Sequence, residues 1–122
     1  MKKENGKTML GEEEKNLNAI LSVGSYKIGN YMIDVPKRLL TINGQSTKLT
    51  TKELHLLVYF AANANDFVDR KAALRMIWKD DNYYNSRSMD VYICKLRKLL
   101  KDDTNVYIIN IHGKGYRMIV PA

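Results

Sequence analysis

The last third of the chain constrains the fold most, because a basic amphipathic helix leads there directly into a glycine-containing hairpin. At about 100° per residue along an α-helix, four apolar side chains fall in one narrow stripe. These four are Met89, Ile93, Leu96 and Leu100. The opposite side, the basic strip, consists of Arg87, Val91, Cys94, Lys95 and Lys98. A helix is therefore predicted over residues 86–102. It is expected to bury the apolar stripe in a core and to expose the basic strip to solvent.

A β-hairpin is predicted after this helix, over residues 106–120. Strand-like runs at 108–111 and 116–120 flank a turn that contains Gly113 and Gly115, and glycine permits the positive φ angles of a tight turn. Lys114 lies at the tip, with His112 before it and Arg117 after it. Such a tip is suited to reach a phosphate or a minor groove. The alternative is an ordinary exposed hairpin with a solubilising lysine.

Charge narrows the class of partner. The formal net charge of +7 comes entirely from residues 26–122, because residues 1–25 hold four Lys and four Glu. An excess of this kind favours polyanions: DNA, RNA or a membrane surface. Apolar runs fall well short of the ~20 residues of a spanning helix, and the N-terminus has no signal-peptide pattern, so a cytoplasmic protein with no membrane contact is expected. The lone Cys94 and the two histidines match no metal-ligand spacing, so neither a metal nor a cofactor is expected.

The preceding segments complete an α+β order. Residues 1–25 read as a flexible linker, and the short apolar runs after them, broken by turn signals such as Asn43-Gly44, predict three or four antiparallel strands. Thr50 and Glu53 match the capping box of a first helix.

Asp69 is a suitable N-cap for a second helix. The loop over residues 79–85 then connects the second helix to the third. A sheet, three helices and a closing hairpin in this order predict a winged helix-turn-helix domain over residues 26–122, with the hairpin as the wing.

Several motifs in this order resemble a known family. They are L-T-x-K-E at the first helix, Trp78 ending the second, R-S-M-D-V-Y-I-x-K-L-R-K from Arg87, and G-K-G-Y-R in the hairpin. Over residues 26–120 the sequence is similar to the DNA-binding effector domain of the OmpR/PhoB class of bacterial two-component response regulators. The resemblance implies a transcription regulator that binds half-sites in double-stranded promoter DNA, often as a dimer, and is nucleoid-associated when bound.

The same resemblance implies further partners. These are RNA polymerase, contacted by the loop before the recognition helix, and an upstream receiver domain with its sensor kinase. Residues 1–25 are too few to form a receiver. The chain is therefore expected to be an effector fragment with its linker, or a regulator that never had a receiver.

Site residues follow from the resemblance position by position. The base contacts are Arg87, Val91 and Lys95, and the chemistry agrees, because Arg and Lys donate to guanine while valine methyls suit a thymine methyl. The DNA backbone contacts are Trp78, Ser88, Tyr92, Lys98, Asn110 and Tyr116. The wing contributes His112, Lys114 and Arg117. The polymerase-contact loop is Asp80, Asp81, Asn82, Tyr83 and Tyr84. Core packing is the alternative for Trp78, Tyr92 and Tyr116, and Arg97 is expected to pair with Asp90.

The sequence departs from the family pattern at two positions. His112 stands where many members carry an arginine, and Cys94 stands where a basic residue often precedes Lys95. Both reduce the cationic reach, for which Lys114 or a protonated His112 would substitute.

A small basic domain could also be an enzyme or a protein-recognition module. An enzyme is not expected, because the adjacent acidic pairs of the domain, Asp80-Asp81 and Asp102-Asp103, lie in predicted loops or helix ends. A winged helix that recognises a protein through residues 79–85 is the alternative to DNA binding.

Overall fold

The fold consists of two antiparallel sheets around a layer of helices. A computed structural model describes residues 16–121, beginning with helix α1 at residues 16–22. The other elements, in chain order, are β1 (Ser25–Ile28), β2 (Tyr31–Asp34), β3 (Leu39–Ile42), β4 (Gln45–Lys48), α2 (Thr51–Ala62), β5 (Phe67–Asp69), α3 (Arg70–Trp78), α4 (Tyr83–Leu99), β6 (Tyr107–Ile111) and β7 (Gly115–Ile119). This is the predicted winged helix-turn-helix, with α3 and α4 as the two helices of the motif and β6–β7 as the wing.

The N-terminal sheet has four strands in the order β1-β2-β3-β4. The Asn43-Gly44 pair forms a two-residue hairpin turn between the partners Ile42 and Gln45. Its φ angles are 52° and 78°, as the primed turns of tight hairpins require. The sequence prediction of three or four strands is confirmed with four.

The starts of α2 and α3 follow the predicted capping chemistry. Thr50 Oγ1 accepts a hydrogen bond from the Glu53 backbone N–H at 3.2 Å, and the Thr50 backbone N–H donates to Glu53 Oε1 at 2.8 Å. Asp69 Oδ2 accepts from the Ala72 backbone N–H at 2.9 Å. Each cap satisfies backbone donors that a helix leaves without internal partners, so both helices begin where local sequence dictates.

Helix α4 spans Tyr83–Leu99, so it begins and ends three residues earlier than the predicted helix over 86–102. Its N-cap is Asn82, whose Oδ1 accepts from the Asn85 backbone N–H at 2.8 Å. The connecting loop is therefore the four residues from Lys79 to Asn82, and the predicted loop over 79–85 was wrong. Tyr83 and Tyr84 are exposed, so the apolar periodicity that marks the rest of the helix does not reach its first turn.

The wing belongs to a three-stranded sheet with the order β5-β7-β6. β5 was not predicted, because it has only three residues and pairs with a strand far away in the sequence. Val68 of β5 lies opposite Tyr116 of β7. This pairing attaches the wing to the residue that caps α3, so the wing and the helix-turn-helix share one backbone framework.

The core lies between the helices and the N-terminal sheet. Its members include Ile33 of β2, Phe60 of α2 and Leu96 of α4. Leu17 of α1 is also buried, and the Tyr26 hydroxyl donates to the Ile20 carbonyl at 2.7 Å. Part of the predicted linker thus packs on the domain, while its residues 1–15 lie outside the described residues.

Candidate nucleic-acid interface

One side of α4 carries an exposed, cationic surface. Met89, Ile93 and Leu96 are buried, and the opposite side exposes the basic strip. Arg87, Lys95 and Lys98 are exposed, and Val91 is 53% exposed, which is high for an aliphatic side chain. The predicted division of this helix into a buried stripe and an exposed basic strip is confirmed.

Two cations of the basic strip lie over tyrosine rings. The Arg87 guanidinium carbon lies 6.0 Å from the centre of the Tyr83 ring, and Lys95 Nζ lies 5.3 Å from the centre of the Tyr92 ring. Cation–π contacts at exposed sites contribute roughly 0.5–1 kcal/mol each. The contacts therefore favour particular directions for both side chains without removing them from solvent.

Tyr92 in turn packs against the end of α3. Its ring meets Trp78 edge to face, with 5.7 Å between the ring centres. Lys52 of α2 lies over the Trp78 ring, with Nζ 5.6 Å from the ring centre and 3.0 Å from the Ile77 carbonyl oxygen. Trp78 and Tyr92 are both half-buried, so each has a packing role and an exposed edge.

Arg70, the first residue of α3, joins three elements through one guanidinium. Nη2 donates to the Ser86 carbonyl oxygen at 2.9 Å and to Ser86 Oγ at 2.6 Å, and it lies 2.9 Å from Asp90 Oδ1. Nη1 donates to the Tyr116 hydroxyl. We refer to Arg70, Ser86, Asp90 and Tyr116 as the Arg70 network. It fixes α4 and the wing relative to the start of α3.

The expected pairing of Arg97 with Asp90 was wrong. Asp90 pairs with Arg70, while Arg97 Nη2 donates to the Ile108 carbonyl at 3.0 Å and to Asn110 Oδ1 at 2.9 Å. Asp90 and Arg97 are seven residues apart, which separates them by about 10 Å along the helix axis. The Arg70 network was missed, because helical periodicity within α4 carries no signal for a partner on α3.

A cleft of about 240 Å³ lies between α4 and the wing. It is lined by Arg70, Asp90, Asn110, Gly113, Gly115 and Tyr116. Tyr116 is only 6% exposed, and burial raises the pKa of its hydroxyl, against the opposing effect of the Arg70 charge.

Position 115 requires glycine, because a Cβ there would lie 2.1 Å from the Val68 carbonyl oxygen. The wing thus approaches β5 closely enough to bring the Tyr116 hydroxyl to Arg70.

The remaining predicted site residues lie around these two features. Ser88 is half-buried on α4, and Asn110 is exposed on β6. His112 and Lys114 are exposed at the wing tip. Arg117 lies in the central strand, opposite Phe67 and Ile109, and is half-buried rather than projecting from the tip.

The loop before α4 is held by its own polar groups. Asn82 Nδ2 donates to Asp80 Oδ2 at 3.3 Å, and Arg75 Nη1 lies 3.6 Å from Asp81 Oδ2. Asp80, Asp81 and Asn82 are exposed loop residues as predicted. Tyr83 and Tyr84, assigned to the same loop, instead form the first turn of α4.

Over residues 16–121 no three or more His, Cys, Asp and Glu side chains are grouped so as to hold a metal ion. None of the helices in that range has the length and apolar character needed to cross a membrane.

Comparison with known proteins identifies the fold. Residues 44–118 match the family model described as "Transcriptional regulatory protein, C terminal". The chain is 58% identical over 96 residues to the transcriptional regulatory protein RprY of Bacteroides fragilis, a match that covers 79% of this chain and 41% of RprY. The chain thus spans less than half the length of that regulator.

Solved structures agree. The response regulator DrrB, an OmpR/PhoB homologue from Thermotoga maritima, superposes with a TM-score of 0.67 at 33% identity, covering 79% of this chain and 44% of DrrB. The Klebsiella pneumoniae RstA DNA-binding domain, crystallised with the RstA box, gives a TM-score of 0.66 at 31% identity over 78% of this chain and 96% of that domain. The chain therefore belongs to the family of C-terminal domains of transcriptional regulatory proteins, the DNA-binding output domains of OmpR/PhoB-type response regulators.

Proposed function

We propose that this domain binds promoter DNA sequence-specifically, with α4 in the major groove and the wing on the adjacent backbone or minor groove. The observation that carries this proposal is the basic strip, where Arg87, Lys95 and Lys98 surround the exposed Val91 on one side of the second helix of the motif. A major groove admits an α-helix, and cations with an apolar residue match its acceptors and thymine methyls. Asp90, the acidic residue beside the strip, is engaged by Arg70.

Within this function, Arg87, Val91 and Lys95 are assigned to bases. The phosphate backbone is assigned to Trp78, Ser88, Tyr92, Lys98, Asn110 and Tyr116. His112, Lys114 and Arg117 are the wing residues. Burial restricts the assignment of Tyr116 to its hydroxyl, which Arg70 also orients.

The function of the full-length regulator is proposed on the same basis. A receiver domain phosphorylated by a sensor kinase would precede this chain, and two copies would bind adjacent half-sites in the cytoplasm, at the nucleoid. Asp80, Asp81 and Asn82 form the loop proposed to contact RNA polymerase; their exposure and fixed geometry support a contact role. In this proposal the domain acts by binding DNA, as its membership of a family of DNA-binding output domains supports.

Selection from a randomised duplex pool at two salt concentrations tests the DNA-binding proposal. We expect a repeated or palindromic motif that persists at the higher salt, because base readout survives when the phosphate term is screened. Arg87→Ala should relax preference at one position at a cost of ~1–3 kcal/mol, whereas Lys98→Ala should weaken all duplexes alike and reduce the salt slope by about one. Uniform retention that disappears with salt would overturn the proposal and favour protein recognition through the segment 79–85.

A further inference from the structure

The position at which α4 begins adds one residue to the DNA-facing side of the helix. At about 100° per residue, Tyr84 lies within about 20° of Val91 and of Lys95 around the helix axis. It also precedes Val91 by two turns, about 10 Å along the axis. Tyr84 is therefore in line with the basic strip, at its N-terminal end.

Tyr84 is also conspicuously exposed. Its relative exposure of 81% exceeds that of Tyr83, at 68%, and of Tyr107, at 48%. Its ring contacts Tyr83 edge to face, with 5.7 Å between the ring centres. The pair is exposed, and the Arg87 guanidinium carbon lies 6.0 Å from the centre of the Tyr83 ring, so these rings form a surface suited to a partner and are not part of the core.

We propose that Tyr84 is a further specificity-determining residue, whose ring contacts a thymine methyl group in the major groove beyond the base contacted by Arg87. The proposal rests on the proposed function. Side chains of an α-helix lean toward its N-terminus. The Tyr84 ring would therefore cover groove surface on the N-terminal side of its own Cα. This residue would extend the contacted site by one base pair.

The surroundings of Tyr84 favour a base over a phosphate. Residues 79–82 hold one lysine and two aspartates, and Asp81 pairs with Arg75, so this end of α4 has no excess of positive charge that would attract a phosphate. Within α4 itself the cations occur only from Arg87 onward. An uncharged ring at this end of the helix is suited to an uncharged partner. The C5-methyl of thymine is the apolar group that the major groove offers.

The test compares the motifs selected by four proteins: the unaltered chain, Tyr84→Ala, Tyr84→Phe and the matched control Tyr107→Ala. Tyr107 is an exposed tyrosine at the end of the hairpin opposite its tip. We expect the unaltered chain, Tyr84→Phe and Tyr107→Ala to select the same motif. Tyr84→Ala should lose a thymine preference at one terminal position only. Replacing that thymine with deoxyuridine should weaken binding by the unaltered chain about fourfold, the affinity equivalent of one methyl group.

The outcomes separate the two proposals. If the unaltered chain selects no motif, the proposed function fails. If it selects a motif that Tyr84→Ala reproduces in full, or if deoxyuridine is bound as well as thymidine, the inference for Tyr84 fails while the proposed function stands. A loss with Tyr84→Phe equal to that with Tyr84→Ala would assign the contact to the hydroxyl group and overturn the methyl contact. An affinity loss equal for all sequences would overturn it in favour of a phosphate contact.

Discussion

Arg70→Ala should destabilise the domain far more than any change on the basic strip. The substitution removes the hydrogen bonds to Ser86 and the contact with Asp90. It also deprives the hydroxyl of Tyr116, a residue that is only 6% exposed, of its donor. A buried polar group left without a partner costs roughly 1–3 kcal/mol, and a hydrogen bond from a charged group contributes roughly 1.5–3 kcal/mol. These contributions overlap, because they share one guanidinium.

The ion pair itself adds little to this total. The Asp90 side chain is 55% exposed and that of Arg70 21% exposed, and solvent-exposed pairs contribute at most ~1 kcal/mol. Discounting that pair and the shared geometry, we expect the free energy of unfolding to fall by about 3 kcal/mol. Since 1 kcal/mol shifts the melting temperature of a domain of this size by roughly 4–8 °C, a loss of about 3 kcal/mol should lower Tm by about 12–24 °C.

Urea and thermal unfolding followed by circular dichroism provide the assay. Arg70→Lys should recover less than half of the loss, because an ammonium group lacks the planar fork that reaches Ser86 and Tyr116 together. Arg87→Ala, an exposed control that loses only its contact with the Tyr83 ring, should stay within about 1 kcal/mol of the unaltered domain. A loss below about 1 kcal/mol for Arg70→Ala would refute the reasoning, because it would mean that the network does not fix α4 and the wing.

Three further perturbations test other features. Gly29→Ala should lower the melting temperature more than Gly44→Ala. Both glycines have positive φ angles, but a Cβ at Gly29 would lie 2.5 Å from Asp103 Oδ2 and from Val106 Cγ2, whereas a Cβ at Gly44 would have nothing within 4 Å. Equal losses would mean that the neighbours of Gly29 relax. Thr50→Ala should lower the free energy of unfolding by about 1 kcal/mol through loss of the α2 cap, and an unchanged urea midpoint would contradict this. Burial, followed by the charges of Lys52 and Lys79, lowers the pKa of His55 below its ordinary value. The unfolded chain therefore binds a proton more readily than the folded one, and stability should fall as the pH drops below about 6.5. His55→Gln should show a smaller difference in Tm between pH 7 and pH 5, and an identical difference would remove His55 as the cause.

The features that the sequence predicted are those encoded within a few residues of the chain. The capping box of Thr50 and Glu53, the Asn43-Gly44 turn and the apolar stripe of α4 each depend on neighbours within one or two turns. The basic strip followed from the stripe, because the opposite side of an amphipathic helix faces solvent. The family motifs then ordered these pieces into a winged helix-turn-helix.

The features that the sequence did not predict depend on partners far away in the chain. β5 forms because Val68 pairs with Tyr116, and Asp90 is taken by Arg70, which is twenty positions earlier. The start of α4 was missed for a different reason. Asn82 and Asn85 are equally good N-cap residues by type. Tyr83 and Tyr84 are exposed and do not continue the apolar periodicity of α4, so the local pattern does not distinguish the two caps.

The Arg70 network also determines which cations remain available to DNA. Arg87 and Asp90 are three residues apart on α4, a spacing at which oppositely charged side chains on a helix meet. An Asp90 without another partner would attract the Arg87 guanidinium along the helix and away from the groove. Arg70 occupies Asp90 from the side of α3, and Arg87 lies instead over the Tyr83 ring, which holds it without neutralising its charge. The contact that fixes the wing to α4 therefore also keeps Arg87, the arginine proposed to contact a base, unneutralised, so the stability of the domain and the proposed readout depend on the same Arg70 guanidinium.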